Sequence, residues 1–309
     1  MELLEAAIRP KFIAELNSEC PFQAPKAEDL QDEQEDIFDD DRESVQAAQA
    51  KDGGSLGKNL GAALYGRSGT VHPDYNTPQG YHKQPREDSS RPPDGSIGEE
   101  KIWVRGVACD YTVAAHHLIP GNAALYNKRS AIRSFMVKDG EVTSRGGKKY
   151  TIEKHIGYNV NGAHNGVWLP GNYAYNAGRA KVDGKSWKEM ESDWQLDYVA
   201  AAVKRCGAQF HDTHKNYSAK VLEVLNRMAS DLSLHFDACS ECIKKSGGKT
   251  PPPYRLIKHL YRASGWLRKN VLANDPCTWS MPFITSKKWQ DVLSSPAQRK
   301  EYVKAWREC

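Results

Sequence analysis

The sequence predicts an α+β fold, in which a few short strands in the middle of the chain are followed by several amphipathic helices. Residues 101–120, KIWVRGVACDYTVAAHHLIP, alternate apolar and small side chains as strands do. Three later stretches repeat apolar residues at helical spacing instead. A chain of 309 residues is long enough to bury a core and to form one or two domains.

The amino-terminal third differs from the rest in composition. Residues 1–50 carry 14 acidic and four basic residues, so the remainder of this +4 chain has a formal charge of +14. Residues 28–43 are the most acidic, and residues 51–100 are rich in Gly, Pro and Ser. We expect 1–100 to be a largely mobile, disordered acidic segment. Its roles range from a solvated tail to an adaptor or an acidic mask over a basic site.

Several protein classes have no support in the sequence. The longest apolar runs fall short of the ~18–20 residues that a membrane span needs, and mean hydropathy is -0.69. The start of the chain, MELLEAAIRPKFIAELNSEC, lacks the positive and apolar regions of a signal peptide. Seven cysteines fit reduced thiols better than a disulfide framework. The motifs H-E-x-x-H, G-x-S-x-G and the P-loop are absent from the sequence. We expect synthesis in a cytoplasm, with export that needs no cleaved signal left open.

The ordered elements are predicted to begin near Ile102. The strand region 102–120 is followed by a helix over 122–137 and by a hairpin turn at Asp139-Gly140. Three longer helices are predicted over 186–206, 213–236 and 253–270. The predicted division is an amino-terminal segment 1–100, a catalytic domain 101–238 and a basic helical extension 239–309.

Histidine and asparagine side chains occur at three points that a fold can bring together. His116 and His117 end a strand, Asn165 lies in a turn, and His211 and His214 precede a helix. Neighbours on a strand point to opposite faces, so the adjacent pair would divide two tasks. Phosphodiester hydrolysis needs a divalent cation and a base with a pKa near 7, which histidine supplies. The alternatives are one core and one surface histidine, a turn asparagine and a helix-capping histidine.

Three motifs, AHHLIP, NVNGAHNGVWLP and HDTHKNY, resemble those of the AHH nucleases of the HNH/endonuclease VII superfamily, over about residues 105–230. The resemblance implies a ββα-metal, treble-clef-like core that cleaves DNA, with RNA as the alternative. It implies one divalent ion, expected to be Mg²⁺, with Mn²⁺, Zn²⁺ or Ni²⁺ as alternatives. Many relatives are bacterial toxins, so it also implies synthesis in a bacterial cytoplasm, delivery through secretion machinery or an adaptor, and a cognate immunity protein.

The same resemblance assigns roles to individual residues. His117 corresponds to the general base and His116 to a metal ligand. Asn165 either binds the metal or ties down the loop so that His117 is held in place. His211 and His214 correspond to the last histidine pair before the tyrosine of the HxxY motif, and His214 is the stronger choice as a ligand.

Cysteines and the other histidines receive structural interpretations. Cys239 and Cys242 form one C-x-x-C, whereas a closed zinc site needs four ligands. Cys206 could join them with a fourth residue, but nothing in the sequence fixes that spacing. Isolated thiols at a helix end are therefore favoured. The histidines at 155, 164, 235 and 259 are interpreted as surface or satisfied core residues.

Residues 243–274 carry eight Lys or Arg and no acid. Arg255, Lys258 and Arg262 recur there at helical spacing, and we call these three the basic stripe. Such a stripe neutralises backbone phosphates without reading base sequence, although a solvated helix face has the same pattern. The sequence thus predicts a metal-dependent DNA endonuclease with little sequence preference, as an antibacterial toxin. The alternatives are an inactive nucleic-acid-binding module of the same fold and a zinc-stabilised interaction domain.

Overall fold

The computed structural model of the protein describes residues 3–18, 20–22, 56, 101–172, 175, 184–239, 248–273 and 275–301. The acidic block 28–43, nearly all of 51–100 and Cys242 lie outside these residues. The described part combines helices with small sheets, which confirms the predicted α+β class.

Among the described residues, most strands precede the last four helices, and the first helix precedes all of the strands. The helices are α1 (Leu3–Ser18), α2 (Ala131–Met136), α3 (Ser192–Cys206), α4 (Lys215–Ala238), α5 (Arg255–Val271) and α6 (Lys287–Ser294). The strands are β1 (Ile102–Val104), β2 (Val107–Cys109), β3 (Thr112–His117), β4 (Glu141–Thr143), β5 (Lys149–Ile152), β6 (Gly166–Gly171) and β7 (Lys249–Thr250). None of these helices combines the length and the apolar composition that crossing a bilayer requires.

The chain divides into two compact units, each assembled from separate stretches of sequence. Unit 1 comprises Met1–Asp52, Ile119–Asn161 and Ser218–Trp266, and unit 2 comprises Gly53–Leu118, Gly162–Tyr217 and Leu267–Cys309. The predicted division at 1–100, 101–238 and 239–309 stays a prediction.

Unit 2 contains β3, which ends in His116 and His117, and β6, which begins directly after Asn165. β3 pairs with β6 in antiparallel register, from Thr112 opposite Gly171 to His117 opposite Gly166. β1 and β2 form a hairpin whose two-residue turn, Arg105-Gly106, has positive φ at both positions, as hairpin turns of this length prefer. A buried aromatic cluster surrounds these strands and α3, and it includes Trp168, Tyr198, Phe210 and Trp289. Burial of these large rings stabilises the strand ends that carry the site.

Unit 1 contains a three-stranded sheet and the amino-terminal helix. β5 lies between β4, to which it is antiparallel, and β7, to which it is parallel. α1 buries Leu4, Ile8, Phe12 and Leu16, an i, i+4 pattern that forms one apolar face. This helix falls within the segment that the sequence predicted to be largely mobile.

Local turns explain three differences from the predicted elements. The strand region 102–120 is broken by the turn at Arg105-Gly106, and the helix expected over 122–137 is a π-helical turn, Gly121–Leu125, followed by α2. The hairpin predicted at Asp139-Gly140 is wrong, because β4 and β5 are joined by the turn 144–148 instead. Asp139 has a φ of 60° and turns the chain from α2 into β4. A side chain at Gly140 would clash with the Ser134 carbonyl oxygen, 2.1 Å from where its Cβ would stand.

Candidate metal centre

His116 and His117 occupy the last two positions of β3. His116 is buried with Val167 as its cross-strand neighbour, whereas His117 is half-buried and faces Gly166, which has no side chain. Because successive strand residues point to opposite faces, the two imidazoles meet different surroundings. The division of the pair that the sequence predicted is therefore present in the backbone geometry.

His116 lies against the two later histidines, His211 and His214. The ring centroid of His116 is 4.8 Å from that of His211 and 4.9 Å from that of His214. The Nε2 atoms of His211 and His214 are 3.1 Å apart, so one ring donates an N–H to the other. One ring nitrogen from each of the three histidines lies within 4.8 Å of the others. These three residues, named here the histidine cluster, are those that the sequence proposed as metal ligands.

The chain returns to β6 after α3 to deliver His211. The backbone N–H of His211 donates to the Pro170 carbonyl at 2.6 Å, and His211 forms a parallel bridge with Gly171. The segment that contains α3 therefore leaves the sheet at the end of β6 and returns to it at His211. The roughly forty-five residues between Asn165 and His211 leave the site intact.

Burial keeps the histidine cluster uncharged. Desolvation, followed by the neighbouring imidazoles, holds the pKa of His116 well below its usual value. The same two causes lower the pKa of His211 to about 3, and burial lowers the pKa of His214. Neutral imidazoles carry the lone pairs that bind metal ions, so near neutral pH the cluster is in its ligating form.

Tyr217 fixes the start of α4 to the end of β3. Its hydroxyl donates to the Leu118 carbonyl at 2.5 Å, and its ring lies 5.3 Å from His116 and 5.5 Å from His214. Burial raises the pKa of Tyr217 well above its usual value, so the hydroxyl remains a donor. Tyr217 thus positions the helix that follows the last two histidines.

Asn165 lies directly before β6, beside the end of β3. It is fully buried, its carbonyl accepts the Leu118 N–H at 2.8 Å, and its own N–H donates to Gly162 at 2.9 Å. These bonds join the turn before β6 to the residue after His117. These backbone bonds are consistent with the loop-tying role, and the choice between tying the loop and binding the ion stays a prediction.

Two positioning residues escaped the sequence analysis. Arg268, only 3% exposed, donates from Nη2 to the carbonyls of His164 and Gly166, at 3.0 and 2.9 Å, and so brackets Asn165. Asp212 accepts hydrogen bonds from the Lys287 N–H and the Ser286 hydroxyl, and burial raises its pKa to about 6. The one available signal for Asp212 was its place between two histidines.

The side chains of the histidine cluster fit a divalent ion. Within the part of the chain that the structure describes, the buried Nε2 of His116 has no hydrogen-bond partner, which is costly for a polar atom unless something binds it. Ligand nitrogens around a tetrahedral ion with bonds of about 2.0–2.1 Å lie about 3.4 Å apart. The cluster thus needs only a small contraction to hold one ion.

The basic stripe belongs to α5 in unit 1 and is partly engaged by an acid. Arg262 donates to the Glu15 carboxylate at 2.6 Å, and Lys258 Nζ lies 3.9 Å from the same group. Arg255 is half-buried. Its role in binding nucleic acid, like that of Lys258 and Arg262, stays a prediction.

The other histidines lie in varied surroundings. His155 accepts the Lys138 N–H, and buried His259 contacts the Glu15 carboxylate at 2.9 Å. His164 is buried, and the buried Nε2 of His235 has no hydrogen-bond partner among the described residues. Cys206 is buried in the unit 2 core, where burial raises its pKa to about 12.

A comparison with protein families gives this arrangement its affiliation. Residues 97–237 match the family described as AHH, a nuclease family of the HNH/ENDO VII superfamily with conserved AHH, and the AHH of the description corresponds to Ala115-His116-His117. No curated protein and no solved structure matches the chain significantly. The match confirms the resemblance that the three motifs predicted. Residues 97–237, a little under half of the chain, are therefore similar to the AHH nuclease family of the HNH/ENDO VII superfamily.

Proposed function

We propose that this domain is a metal-dependent endonuclease that hydrolyses DNA phosphodiester bonds with little sequence preference. One observation carries the proposal: three neutral imidazoles converge within 4.8 Å, and next to His116 a half-buried His117 faces away. An ion-binding group and a separate proton acceptor are the two components that this hydrolysis needs.

The histidine cluster would hold the ion through one nitrogen of each ring. A bound divalent ion supplies positive charge that stabilises the charge developing on the phosphate and on the leaving oxygen. Imidazole donors suit Zn²⁺, Ni²⁺ and similar ions, whereas Mg²⁺ prefers oxygen ligands. The donor set thus supports Zn²⁺ or Ni²⁺ over the Mg²⁺ that we expected from the sequence.

His117 would take the proton of the attacking water. Its half-exposed ring faces Gly166 across the sheet, so no cross-strand side chain covers it. Two sets of hydrogen bonds hold the turn before β6. The Asn165 carbonyl accepts the Leu118 N–H, and Arg268 donates to the carbonyls on either side of Asn165. The imidazole is in this way fixed at the edge of the sheet while remaining open to water.

The wider role rests on family kinship and charge. We propose an antibacterial toxin, made in a bacterial cytoplasm, exported without a cleaved signal and neutralised by an immunity protein. The formal charge of +14 beyond residue 50 supports attraction to nucleic acid without sequence readout. Induced expression of the wild-type chain, but not of His116→Ala, should then stop bacterial growth.

Plasmid cleavage tests the proposed activity. Purified protein would be incubated with supercoiled DNA and, separately, with RNA, in Mg²⁺, Mn²⁺, Zn²⁺ or Ni²⁺, with and without EDTA. We expect metal-dependent nicking of DNA that His117→Ala slows by about 10²–10⁴-fold. His155→Ala, which changes a histidine outside the cluster, is the matched control. Cleavage that survives EDTA, or an unchanged rate in His117→Ala, would contradict the proposal.

A further inference from the structure

A second group of metal-ligand side chains lies in unit 1. One ligand atom each from Cys20, His235 and Cys239 lies within 4.8 Å of the other two, and all three residues are half-buried. Cys20 and Cys239 fall outside the matched segment 97–237. The family match and the proposed nuclease chemistry therefore leave this group unexplained.

The fold builds the group from the ends of two helices. His235 lies in the last turn of α4, and the Cys239 N–H donates to the His235 carbonyl at 2.9 Å. Residues four apart in this geometry share a helix face. Cys20 follows α1, and the nearby Phe22 ring packs at 4.3 Å on Phe236 and stacks at 6.5 Å on His235.

The amino-terminal helix is attached to α4 by charge as well as by apolar packing. Arg9 donates to Asp231 at 2.9 and 3.0 Å, and Arg227 pairs with Glu5. Since both pairs join α1 to the same helix that carries His235, the position of Cys20 does not depend on a loose chain end. The approach of Cys20 to His235 and Cys239 follows from the packing of the two helices.

The histidine of this group has an unsatisfied atom. The Nε2 of His235 is buried and has no hydrogen-bond partner in the described ranges, which for a buried nitrogen indicates an unaccounted ligand or water. Two thiols and one imidazole with this proximity form a soft donor set. Such sets select Zn²⁺ over Mg²⁺ or Ca²⁺.

We propose that Cys20, His235 and Cys239 bind a zinc ion, with water as its fourth ligand, and that this ion fastens the end of α1 to the end of α4. Bonds of about 2.3 Å to sulfur and about 2.0 Å to nitrogen put tetrahedral ligand atoms about 3.4–3.8 Å apart, so the group must contract by about 1 Å. Binding replaces the two thiol protons with zinc and releases them to solvent. Cys242 lies outside the described residues and is not part of this ligand set.

The site fixes more than the chain end. Glu15, on α1, accepts hydrogen bonds from Arg262 at 2.6 Å and contacts His259 at 2.9 Å. A zinc ion at the end of α1 would hold that acid against the basic stripe. Removal of the ion should accordingly loosen α1 as a whole.

The experiment uses the full chain with the histidine cluster removed by His116→Ala, His211→Ala and His214→Ala, so that zinc bound elsewhere is counted alone. Elemental analysis should find about one zinc per chain, and the cobalt-substituted protein should show thiolate-to-cobalt charge transfer, which imidazoles alone cannot give. Adding Cys20→Ala, Cys239→Ala or His235→Ala should remove most of the bound zinc. Cys206→Ala, which changes a core cysteine, should leave it unchanged.

A second measurement guards against simple misfolding of these variants. Hydrogen exchange would be measured on the variant that lacks the histidine cluster but keeps Cys20, His235 and Cys239. Its α1 amides should lose protection when a strong chelator strips the zinc and regain it when zinc is restored. Absence of the thiolate-to-cobalt band, equal zinc loss in Cys206→Ala, or a Cys20–Cys239 disulfide in protein purified without oxygen would each overturn the proposal.

Discussion

Replacing Arg268 with methionine should disturb the site from a position outside the matched family segment. The buried guanidinium donates to the carbonyls of His164 and Gly166 at 3.0 and 2.9 Å. Hydrogen bonds that involve a charged group contribute about 1.5–3 kcal/mol each. Methionine keeps much of the volume but leaves both carbonyls without this donor. We therefore expect the free energy of unfolding to fall by at least about 3 kcal/mol.

The catalytic effect should exceed what lost stability explains. Gly166 is the cross-strand neighbour of His117, and Asn165 lies between the two bonded carbonyls. Displacement of a positioned group by about 1 Å costs about 10²-fold in rate. Single-turnover cleavage at saturating metal, in conditions where the variant remains folded, should show a loss of that order.

The matched control is Lys269→Met, which removes a positive charge from the next residue, an exposed one. Denaturant unfolding and cleavage would be measured on both variants. If Arg268→Met unfolds within about 0.5 kcal/mol of the wild type and cleaves at the same rate, the positioning role is refuted.

Three further perturbations test the cluster, the basic stripe and a buried histidine. Calorimetry should find that His211→Ala weakens metal binding as much as its two cluster partners do, against the sequence-based ranking that favoured His214; unchanged affinity would remove His211 from the ligand set. Glu15→Gln should tighten DNA binding at low salt by releasing Arg262, with little effect at high salt, where screening already weakens the pair; an affinity indifferent to this change at low salt contradicts masking by Glu15. Burial lowers the pKa of His259 to about 4. Below about pH 6.5 the imidazole is therefore protonated in the unfolded chain but still neutral in the folded one, and the free energy of unfolding decreases as the pH falls toward 4. His259→Gln should flatten that loss by up to about 3 kcal/mol between pH 6.5 and 4, as measured by denaturant unfolding at each pH, and parallel curves would refute the assignment.

The histidine cluster and the neighbouring Asn165 were predictable because each of these residues carries a local signal. A strand end, a turn before Gly166 and a helix start are visible in short stretches of sequence, and the three motifs occur in one order along the chain. Their convergence required only that β3 pair with β6 and that the chain return after α3. The hairpin at Asp139-Gly140 failed for the opposite reason, since an Asp-Gly pair also suits the turn from a helix into a strand.

Contacts between distant parts of the sequence left no such signal. Arg268 is 102 residues from the Gly166 carbonyl that it binds. The sequence of its helix indicates only a basic surface. Cys20 is separated from Cys239 by most of the chain, so the sequence offered only the C-x-x-C at 239 as a zinc motif. Side chains of this kind become interpretable only when packing brings their partners within bonding distance.

The adjacency of His116 and His117 has a consequence for how this site tolerates change. On a helix, neighbours differ by about 100° around the axis, so two adjacent histidines would crowd one side. On β3 the same two residues occupy successive strand positions that point to opposite faces, and His116 lies in the cluster. Because side chains alternate strictly along a strand, a shift of one residue in the pairing of β3 with β6 would exchange their faces. It would also remove Gly166 from its position opposite His117. The buried residues that fix this register, Trp168 and Leu169 on β6, are therefore as necessary to the proposed chemistry as the imidazoles.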